Sequence, residues 1–530
     1  MSMGKSPNNT LDHSNQKEIN KMSLSKIPIN KSLEQNKKFI KERLGNSADI
    51  IVRELKVGST PKTTVAVFYT DGLSDIVSVQ KFIMESLLFE FNEVENDKSN
   101  NKEKSEPLLE QLKNFVLTVG ELKEVTDFED LLTNLLSGNV ILLLDGYVVG
   151  FVIGLQQWDN RGVTETSSES VVRGPKESFS ESIRTNTALI RRKIKHPNLW
   201  MENRVIGSVT KTDVALMYIE GIVDDDLLKE VRSRLDRIDI DGIFESSYIE
   251  ELIQDEAITP FPTLYNSERP DVIAAGILEG RVAILVDGTP FVLLAPTLFI
   301  QLFQAAEDYY SRSGVSSALR LLRYFCFLIA FLAPSLYVAV TTFHQEMIPS
   351  ELLFSLLAQR EQIPFPAVLE VLLMEVAFEI LREASLRMPK AIGSALSIVG
   401  TLVIGQAAVE AGLVSAALII VVSTTAIASF VFPANDLSIA TRILRFPLII
   451  MAASFGLFGM VIGVVILIIH LCSLRSFGVP YMSSLAPYIK EDHKDVFVRF
   501  PFWLMKTRPK LIGQNNLIRN RTPEPRPPEK

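Results

Sequence analysis

Residues 446–472, FPLIIMAASFGLFGMVIGVVILIIHLC, carry no charged side chain over 27 positions. As a helix, this run is long enough to cross the roughly 30 Å hydrocarbon core of a membrane. Residues 324–343 and 413–432 have the same character, and residues 391–411 hold a single charge at Glu410. The sequence before about residue 315 has the mixed polarity of a water-soluble protein. We therefore predict an α/β soluble region followed by an all-α polytopic transmembrane bundle, at residues 316–476.

The number of membrane crossings is open between four and six. Four spans account for the clear apolar runs, but they leave Arg387, Lys390, Arg442 and Arg445 on the outside, against the positive-inside rule. Six spans would recruit segments between residues 348 and 384. The N-terminus has no compact apolar region followed by a cleavage site, so the soluble region is expected in the cytoplasm. The basic tail, residues 477–530, is expected on the same side.

Composition excludes several classes of protein. Cys326 and Cys472 are the only cysteines, so disulfides are not the main stabiliser. The net charge of −8 averages over dissimilar regions, and residues 1–44 form a polar tail that we expect to be disordered. No phosphate-binding glycine loop, nucleophile motif or metal-ligand spacing is present. We predict no enzyme, no catalytic residue, no cofactor, no metal site and no nucleic-acid binding.

The soluble region contains an internal repeat. Residues 58–75 match residues 207–224 at nine of eighteen positions with an offset of 149, and residues 136–146 match residues 278–288 with an offset of 142. Each copy reads as strand, helix and strand, ending in an Asp-Gly turn at Asp145 or Asp287. These aspartates are interpreted as turn residues. The pattern predicts two related tandem α/β subdomains, at residues 45–157 and 198–315.

Residues 158–197 form a linking cassette between the two copies. Ser178 and Glu181 have the spacing of a capping box, so we predict a capped helix that ends before Pro197. One face of this segment is basic. It is interpreted either as a solvated face or as a contact with another subunit or with lipid headgroups, made by Arg173, Arg184, Arg191 and Arg192.

An acidic stripe lies in the membrane half. Glu375, Glu379 and Glu383 follow one another at intervals of four residues, so a helix places them near one face. Charges inside a membrane are costly and usually functional. Several copies around an axis would make rings of carboxylates, which predicts a cation pathway. The competing interpretation is an amphipathic helix at the membrane interface with its acidic face in water.

Small residues predict close packing of helices. Gly459 and Gly463 form a GxxxG pattern preceded by Gly456, and Gly400 and Gly405 mark a second small-residue surface. The pattern does not distinguish packing within one chain from packing between subunits.

Four segments together resemble the A subunit of GerA-type spore germination receptors. They are residues 167–195 with the central VVRGPKE, residues 258–271 (ITPFPTLYNSERPD), residues 379–389 (EILREASLRMP) and residues 398–415 (IVGTLVIGQAAVEAGLVS). The resemblance extends from about residue 45 to residue 510, with these motifs in order.

This resemblance implies an integral protein of the inner spore membrane, with its N-terminal domain and C-terminal tail on the cytoplasmic (core) side. It implies a nutrient germinant receptor with a transporter-like B subunit and a lipoprotein C subunit as partners, and a homo-oligomer in contact with membrane lipid. An oligomeric gated cation pathway would then transduce the germination signal. A scaffold that assembles partner proteins, the dipicolinate-channel-associated paralogue, and germinant binding between the two α/β subdomains are the alternatives.

Overall fold

A computed structural model describes residues 27–57, 63–84, 122–157, 169, 171–387 and 405–526. The chain forms two compact units. The head unit comprises residues up to Ile253 together with Leu264–Pro296 and Ile512–Leu517. The helical unit comprises Gln254–Thr263, Thr297–Leu511 and the residues from Ile518 onward.

The head unit contains two five-stranded antiparallel sheets with the same strand order. The first has the order β1-β2-β4-β5-β3 and the second β6-β7-β9-β10-β8. The strands of the first sheet are β1 (Ile50–Val57), β2 (Thr63–Thr70), β3 (Leu122–Val125), β4 (Val140–Leu144) and β5 (Gly150–Ile153). Those of the second are β6 (Leu199–Ile206), β7 (Thr212–Ile219), β8 (Tyr265–Ser267), β9 (Val282–Val286) and β10 (Val292–Ala295).

The registers of the two sheets repeat the sequence offsets. Phe68 lies opposite Ile141 in the first sheet, and Met217 lies opposite Ala283 in the second. The β2 partner is thus shifted by 149 residues and the β4 partner by 142, which are the offsets of the two sequence matches. A slip of one residue would turn every side chain of a strand to the other face of the sheet. Because the registers correspond, matching residues of the two copies lie on the same face of their sheets.

The central strands β4 and β9 are buried on both faces of their sheets, which explains why their sequences are apolar at every position. All five residues of β4 and all five of β9 are buried. In the first sheet, Phe68 and Ile141 pack with Leu131 and Ile40 of two helices, and Val67 and Leu142 point to the opposite face. A strand buried on both faces loses the polar–apolar alternation of a half-exposed strand.

The helices of the head unit begin at Asp or Ser residues or at a proline. Labelled in chain order, they are α1 (Leu33–Arg43), α2 (Ile76–Ser78, continued by a π-helical turn Val79–Met84), α3 (Phe128–Leu136), α4 (Ile183–Lys193), α5 (Asp225–Asp236), α6 (Ser246–Ile253) and α7 (Pro270–Glu279). The helix expected between the two strands of the second copy corresponds to α5. Residues 92–107, whose sequence NEVENDKSNNKEKSEP predicts a polar loop, lie outside the described residues.

The Asp-Gly turns hold the first helix of each copy. Asp145 accepts a hydrogen bond from the backbone amide of Leu33 at 3.0 Å, and Asp287 accepts one from that of Ile183 at 3.0 Å. Both amides belong to the first residue of a helix, α1 or α4, whose own N-cap serine makes no capping bond. The predicted capping box of the linking cassette is therefore wrong. Ser178 is buried and donates instead to the carbonyl of Glu268 at 3.1 Å.

A buried ion pair joins the cassette helix to the first sheet. Arg191 donates from Nε and Nη2 to the two carboxylate oxygens of Asp49, at 2.7 and 3.0 Å, and both side chains are at least 96% buried. Next to it, Gly45 has a φ of +63° and lies against the indole of Trp200, where a Cβ atom would approach to 2.0 Å. The two copies are therefore tied together inside the head unit.

The helical unit contains the apolar segments. Its helices are α8 (Glu307–Tyr310), α9 (Ser313–Thr342), α10 (Ser350–Arg360), α11 (Ala367–Arg387), α12 (Ala416–Ser429) and α13 (Asn435–Ser473), with 3-10 turns at Phe299–Phe303, Gln345–Met347, Asp492–Asp495 and Phe502–Leu504 and a small hairpin of β11 (Arg475–Ser476) and β12 (Val479–Pro480). Among the described residues, α9 and α13 are long and apolar enough to cross a membrane, and α12 is a shorter apolar helix. Most of the predicted span at 391–411 lies outside the described residues.

Helix α13 doubles back on itself at Gly456. This residue has a φ of +61° and a ψ of −142°, which no helix accommodates. Beyond it, a Cβ atom on Gly459 would lie 2.2 Å from the carbonyl oxygen of Met451, and one on Gly463 would lie 2.5 Å from Leu448. An unbroken helix of 39 residues would be about 58 Å long, nearly twice the apolar thickness of a bilayer. The interpretation of residues 446–472 as a single straight span is therefore wrong.

The described helices of this unit run in both directions. Val338 near the end of α9 packs with Leu418 at the start of α12, whereas Phe327 earlier in α9 contacts Phe432 beyond the end of α12, with ring centroids 6.2 Å apart. Helix α12 therefore runs antiparallel to α9. Ile449 of α13 also lies at the level of Val338, so the first arm of α13 runs parallel to α9.

Candidate functional site

Two ion pairs connect α11 to the first arm of α13. Arg445 donates from Nη1 to Glu375 at 2.6 Å, and Arg442 donates from Nη1 to Glu379 at 2.5 Å. The glutamates are four residues apart and the arginines three, which places each pair one turn from the other on antiparallel helices. We call these four residues the Glu–Arg ladder. The predicted acidic stripe therefore faces arginines of its own chain.

Exposure increases steadily along the ladder. The Glu375 and Arg445 side chains are 1% and 3% exposed, those of Glu379 and Arg442 are 30% and 18% exposed, and Glu383 is 59% exposed and pairs with Arg387 of its own helix at 2.6 Å. Only one end of the stripe is thus sealed inside the chain. The predicted role of Glu375, Glu379 and Glu383 in an ion pathway stays a prediction.

Positive charge exceeds negative charge around the ladder. Arg382, one turn beyond Glu379 on α11, stacks over the ring of Phe430 at 5.7 Å and adds a third guanidinium. Several donors there are buried and have no hydrogen-bond partner among the described residues: Nε and Nη2 of Arg445, Nε of Arg442 and Nη1 of Arg382. The Oε1 atom of Glu375 is an unpaired acceptor in the same place. Sequence reasoning identified the carboxylates but not their arginine partners, which lie about 65 residues away in the sequence.

The glycines predicted to pack helices meet neighbours in their own chain. Gly456 forms the turn of α13 and lies against His344, to which a Cβ atom would approach within 2.7 Å. Gly459 and Gly463 face the other arm of α13, as described above, and a Cβ atom on Gly405 would lie 3.7 Å from Ile419, an ordinary contact distance. Gly400 lies outside the described residues. Packing between subunits at these positions stays a prediction.

A second charged cluster fixes the start of α9. Asp308 of α8 binds Arg320 at 3.1 Å and Arg323 at 2.8 Å, and Arg320 also binds Asp495 at 2.8 Å. The side chain of Arg320 is fully buried. The distal segment around Asp495 is thus held against the first long apolar helix by four charges that pair within the helical unit.

The four basic residues of the linking cassette have different surroundings. Arg191 is buried against Asp49, so in this conformation it cannot touch lipid or another subunit. Arg184 is half exposed and pairs with Asp71 at 2.9 Å, and Arg192 lies 3.4 Å from Glu177. Arg173 is exposed. The contact predicted for the last three stays a prediction.

A cavity of about 430 Å³ lies in the head unit between the turn after β2 and the outer face of α4. Its lining combines both signs of charge with hydroxyl and amide groups, contributed among others by Asp75, Gln157, Arg184, Thr185 and Arg192. Germinant binding between the two α/β subdomains, one of the alternatives from the sequence, stays a prediction.

Two carboxyl groups of the head unit have displaced pKa values. Burial raises the pKa of Glu169 to about 7, although Ser267 donates a hydrogen bond to it at 2.7 Å and Arg269 is near. Burial acts in the same direction on Glu245, but hydrogen bonds from Ser247, Ser246 and Thr289 outweigh it and hold the pKa at about 2. No group of His, Cys, Asp and Glu residues suited to a metal ion occurs in the part of the chain that the structure describes.

Comparison with known proteins decides the family. The profile described as "Bacillus/Clostridium GerA spore germination protein" matches residues 38–511. The chain belongs to the GerA family. The resemblance to A-type spore germination proteins is thereby confirmed.

Relatives match this GerA protein over nearly its whole length. Spore germination protein KA of Bacillus subtilis (strain 168) is 48% identical over 502 residues, which cover 94% of this chain and 90% of that protein. Spore germination protein GerLA of Bacillus cereus is 38% identical, covering 90% of this chain and 94% of the relative. A third relative, the B. subtilis uncharacterized membrane protein YfkQ, is 42% identical over 489 residues, or 92% of this chain and 93% of that protein.

A solved structure also matches. It is the crystal structure of the N-terminal domain of the A subunit of the Bacillus megaterium spore germinant receptor GerK3, with 41% identity and a TM-score of 0.41, covering 52% of this GerA chain and 99% of that chain.

Proposed function

We propose that this GerA protein is the non-enzymatic membrane subunit of a nutrient germinant receptor and that it forms an oligomeric, gated ion pathway. The head and the C-terminal tail would lie on the core side of the inner spore membrane. The partners would be a transporter-like B subunit and a lipoprotein C subunit. Family membership supports the germination role, and two apolar helices support a membrane location.

The observation that carries the pathway proposal is the Glu–Arg ladder. Ion pairs inside a spanning region cost desolvation energy that apolar side chains would avoid, so their presence favours a functional role. With both rungs closed, the carboxylates of Glu375 and Glu379 are neutralised by arginines, which suits a non-conducting state. Conduction would require α11 to part from α13, so that the carboxylates face the shared axis.

Reconstitution tests the proposal. We expect the purified full chain to form a ring-sized oligomer in native mass spectrometry and to pass potassium in liposomes, measured with an entrapped indicator. Opening the ladder with Arg445→Gln should raise the basal flux, and Glu375→Ala combined with Glu379→Ala should abolish it. Glu351→Ala, at an exposed position of α10, is the matched control and should leave the flux unchanged. A monomer without flux in any variant would favour the scaffold alternative.

The head cavity favours small-molecule recognition as a second role. Its mixed lining suits a polar compound of a few carbons, such as an amino acid or a hexose. We would measure the unfolding temperature of the full chain with L-alanine, L-asparagine and D-glucose. A rise that disappears in Thr185→Val, but persists when the exposed Thr133 of α3 is changed to valine, would support this role. Equal shifts in both variants would contradict it.

A further inference from the structure

The edge of Arg445 that does not hold Glu375, the Nε–Nη2 fork, is buried and has no hydrogen-bond partner among the described residues. In a guanidinium group, the Nε–H and Nη2–H bonds lie parallel and match the two oxygens of a carboxylate. Arg191 uses this edge on Asp49, at 2.7 and 3.0 Å. Arg445 donates to Glu375 only from Nη1, and its Nε and Nη2 atoms are buried without a partner among the described residues.

An unpaired fork at this depth is unfavourable. The Arg445 side chain is 3% exposed, so water does not cover the two free donors. A buried donor without a partner costs about 1–3 kcal/mol, and a charged donor costs more. Single unpaired donors on Arg442 and Arg382 belong to the same cluster. Among the described residues, the cluster therefore has four buried donors without a partner and one such acceptor, Oε1 of Glu375.

Charge balance indicates what would fill the fork. Three guanidinium groups, of Arg382, Arg442 and Arg445, face the two ladder carboxylates of Glu375 and Glu379. The neighbouring carboxylate of Glu383 is taken by Arg387. A water molecule would satisfy donors but would leave one positive charge uncompensated in a dry region. A monovalent anion with two acceptor oxygens would satisfy both requirements.

We propose that the Nε–Nη2 edge of Arg445 binds the carboxylate group of a small organic acid. The entry route follows the ladder. Exposure rises from 1% at Glu375 to 30% at Glu379, so a small acid would enter beside Arg442 and Arg382 and displace no existing ion pair. The site is independent of whether the chain conducts ions, and it can be tested without the other receptor subunits.

Binding is measured by equilibrium dialysis of ¹⁴C-acetate against the full chain in detergent at constant ionic strength. We expect saturable binding of one acetate per chain. Arg445→Lys keeps the charge that compensates Glu375 but lacks the fork, and it should weaken binding roughly tenfold or more while the protein stays folded. Glu375→Gln removes a competing negative charge and should tighten binding. Arg475→Gln, at an exposed arginine of β11 in the same unit, is the control and should bind as the native chain does.

Four results would overturn the proposal. Three are the absence of saturable acetate binding, equal affinity in Arg445→Lys and the native chain, and weaker binding in Glu375→Gln. The fourth is that phosphatidylglycerol added to the micelles abolishes acetate binding, whereas free inorganic phosphate does not. The last result would mean that a lipid phosphate occupies the fork. Failure of ion flux in liposomes would leave the dialysis result intact, so the two proposals fail separately.

Discussion

The carboxylate of Asp287 caps helix α4 by accepting a hydrogen bond from the amide of Ile183, 104 residues earlier in the sequence. Asp145 does the same for Leu33 in the first copy. Each copy thus closes on itself, since its last hairpin turn holds its first helix. The capping residue is supplied by tertiary structure, which is why a local capping box did not locate it.

Removing this cap should destabilise the head unit moderately. We expect Asp287→Ala to lower the free energy of unfolding by about 1 kcal/mol, because a helix N-terminal amide loses its acceptor. Asp145→Ala should have a similar effect. Urea unfolding of the full chain in detergent, followed by tryptophan fluorescence, measures both. Asp213→Ala, at an exposed position of β7, is the control and should change little.

The Arg191–Asp49 pair should behave as a unit. Arg191→Ala leaves a carboxylate buried without a partner, and we expect a loss of about 3–5 kcal/mol or failure to fold. The double variant Asp49→Leu, Arg191→Met replaces both charges by apolar groups and should recover most of that loss. Arg192→Ala, a more exposed neighbour, should cost less than about 1 kcal/mol. A double variant no more stable than Arg191→Ala would contradict this account.

Stability should depend on pH through Glu169. Its folded pKa of about 7 lies above the ordinary value of 4.5, so the folded state holds this proton more tightly than the unfolded chain. The resulting stabilisation is complete below pH 4.5 and is lost as the pH rises through about 7, by on the order of 3 kcal/mol. Glu169→Gln should remove this dependence. Unfolding at pH 5 and pH 8, with the exposed Glu181→Gln as control, tests the sign.

The turn at Gly456 should be intolerant of side chains. An L-residue at a φ of +61° is strained by about 1–2 kcal/mol, and a Cβ atom there would also press on His344 at 2.7 Å. We therefore expect Gly456→Ala to reduce the yield of folded protein and its unfolding temperature. Gly478→Ala shares a positive φ of +84° but meets no atom within 4 Å, so it should show the strain alone. Equal effects would argue against close packing at the turn.

Sequence reasoning succeeded where the signal is periodic or repeated. The offsets of 149 and 142 residues reappear in the strand registers because each match carries the inward-facing residues of one strand. The family could be recognised for a related reason. Several long motifs in a fixed order identify it even where the structure of a single segment is predicted wrongly.

It failed where a partner lies far away in the sequence. The basic face of the linking cassette was interpreted as solvated or as a contact with another subunit or lipid, yet Arg191 is buried because Asp49 lies opposite it. The acidic stripe looked free, yet Glu375 and Glu379 meet arginines that were assigned to the ends of other spans. An ion pair has no local periodicity, so a single sequence gives no indication of which charges will meet.

The reversal at Gly456 brings the two ends of α13 to the same end of its hairpin. A hydropathy plot treats the uncharged run of 27 residues as one membrane-spanning helix, whereas in the structure the chain reverses direction within this run. The segment after residue 473 therefore begins at the end of the hairpin where α13 began, and Asp495 of that segment pairs with Arg320 near the start of α9. Labelling of Cys472, which is exposed, checks that it lies at the same end of the helical region as the start of α13.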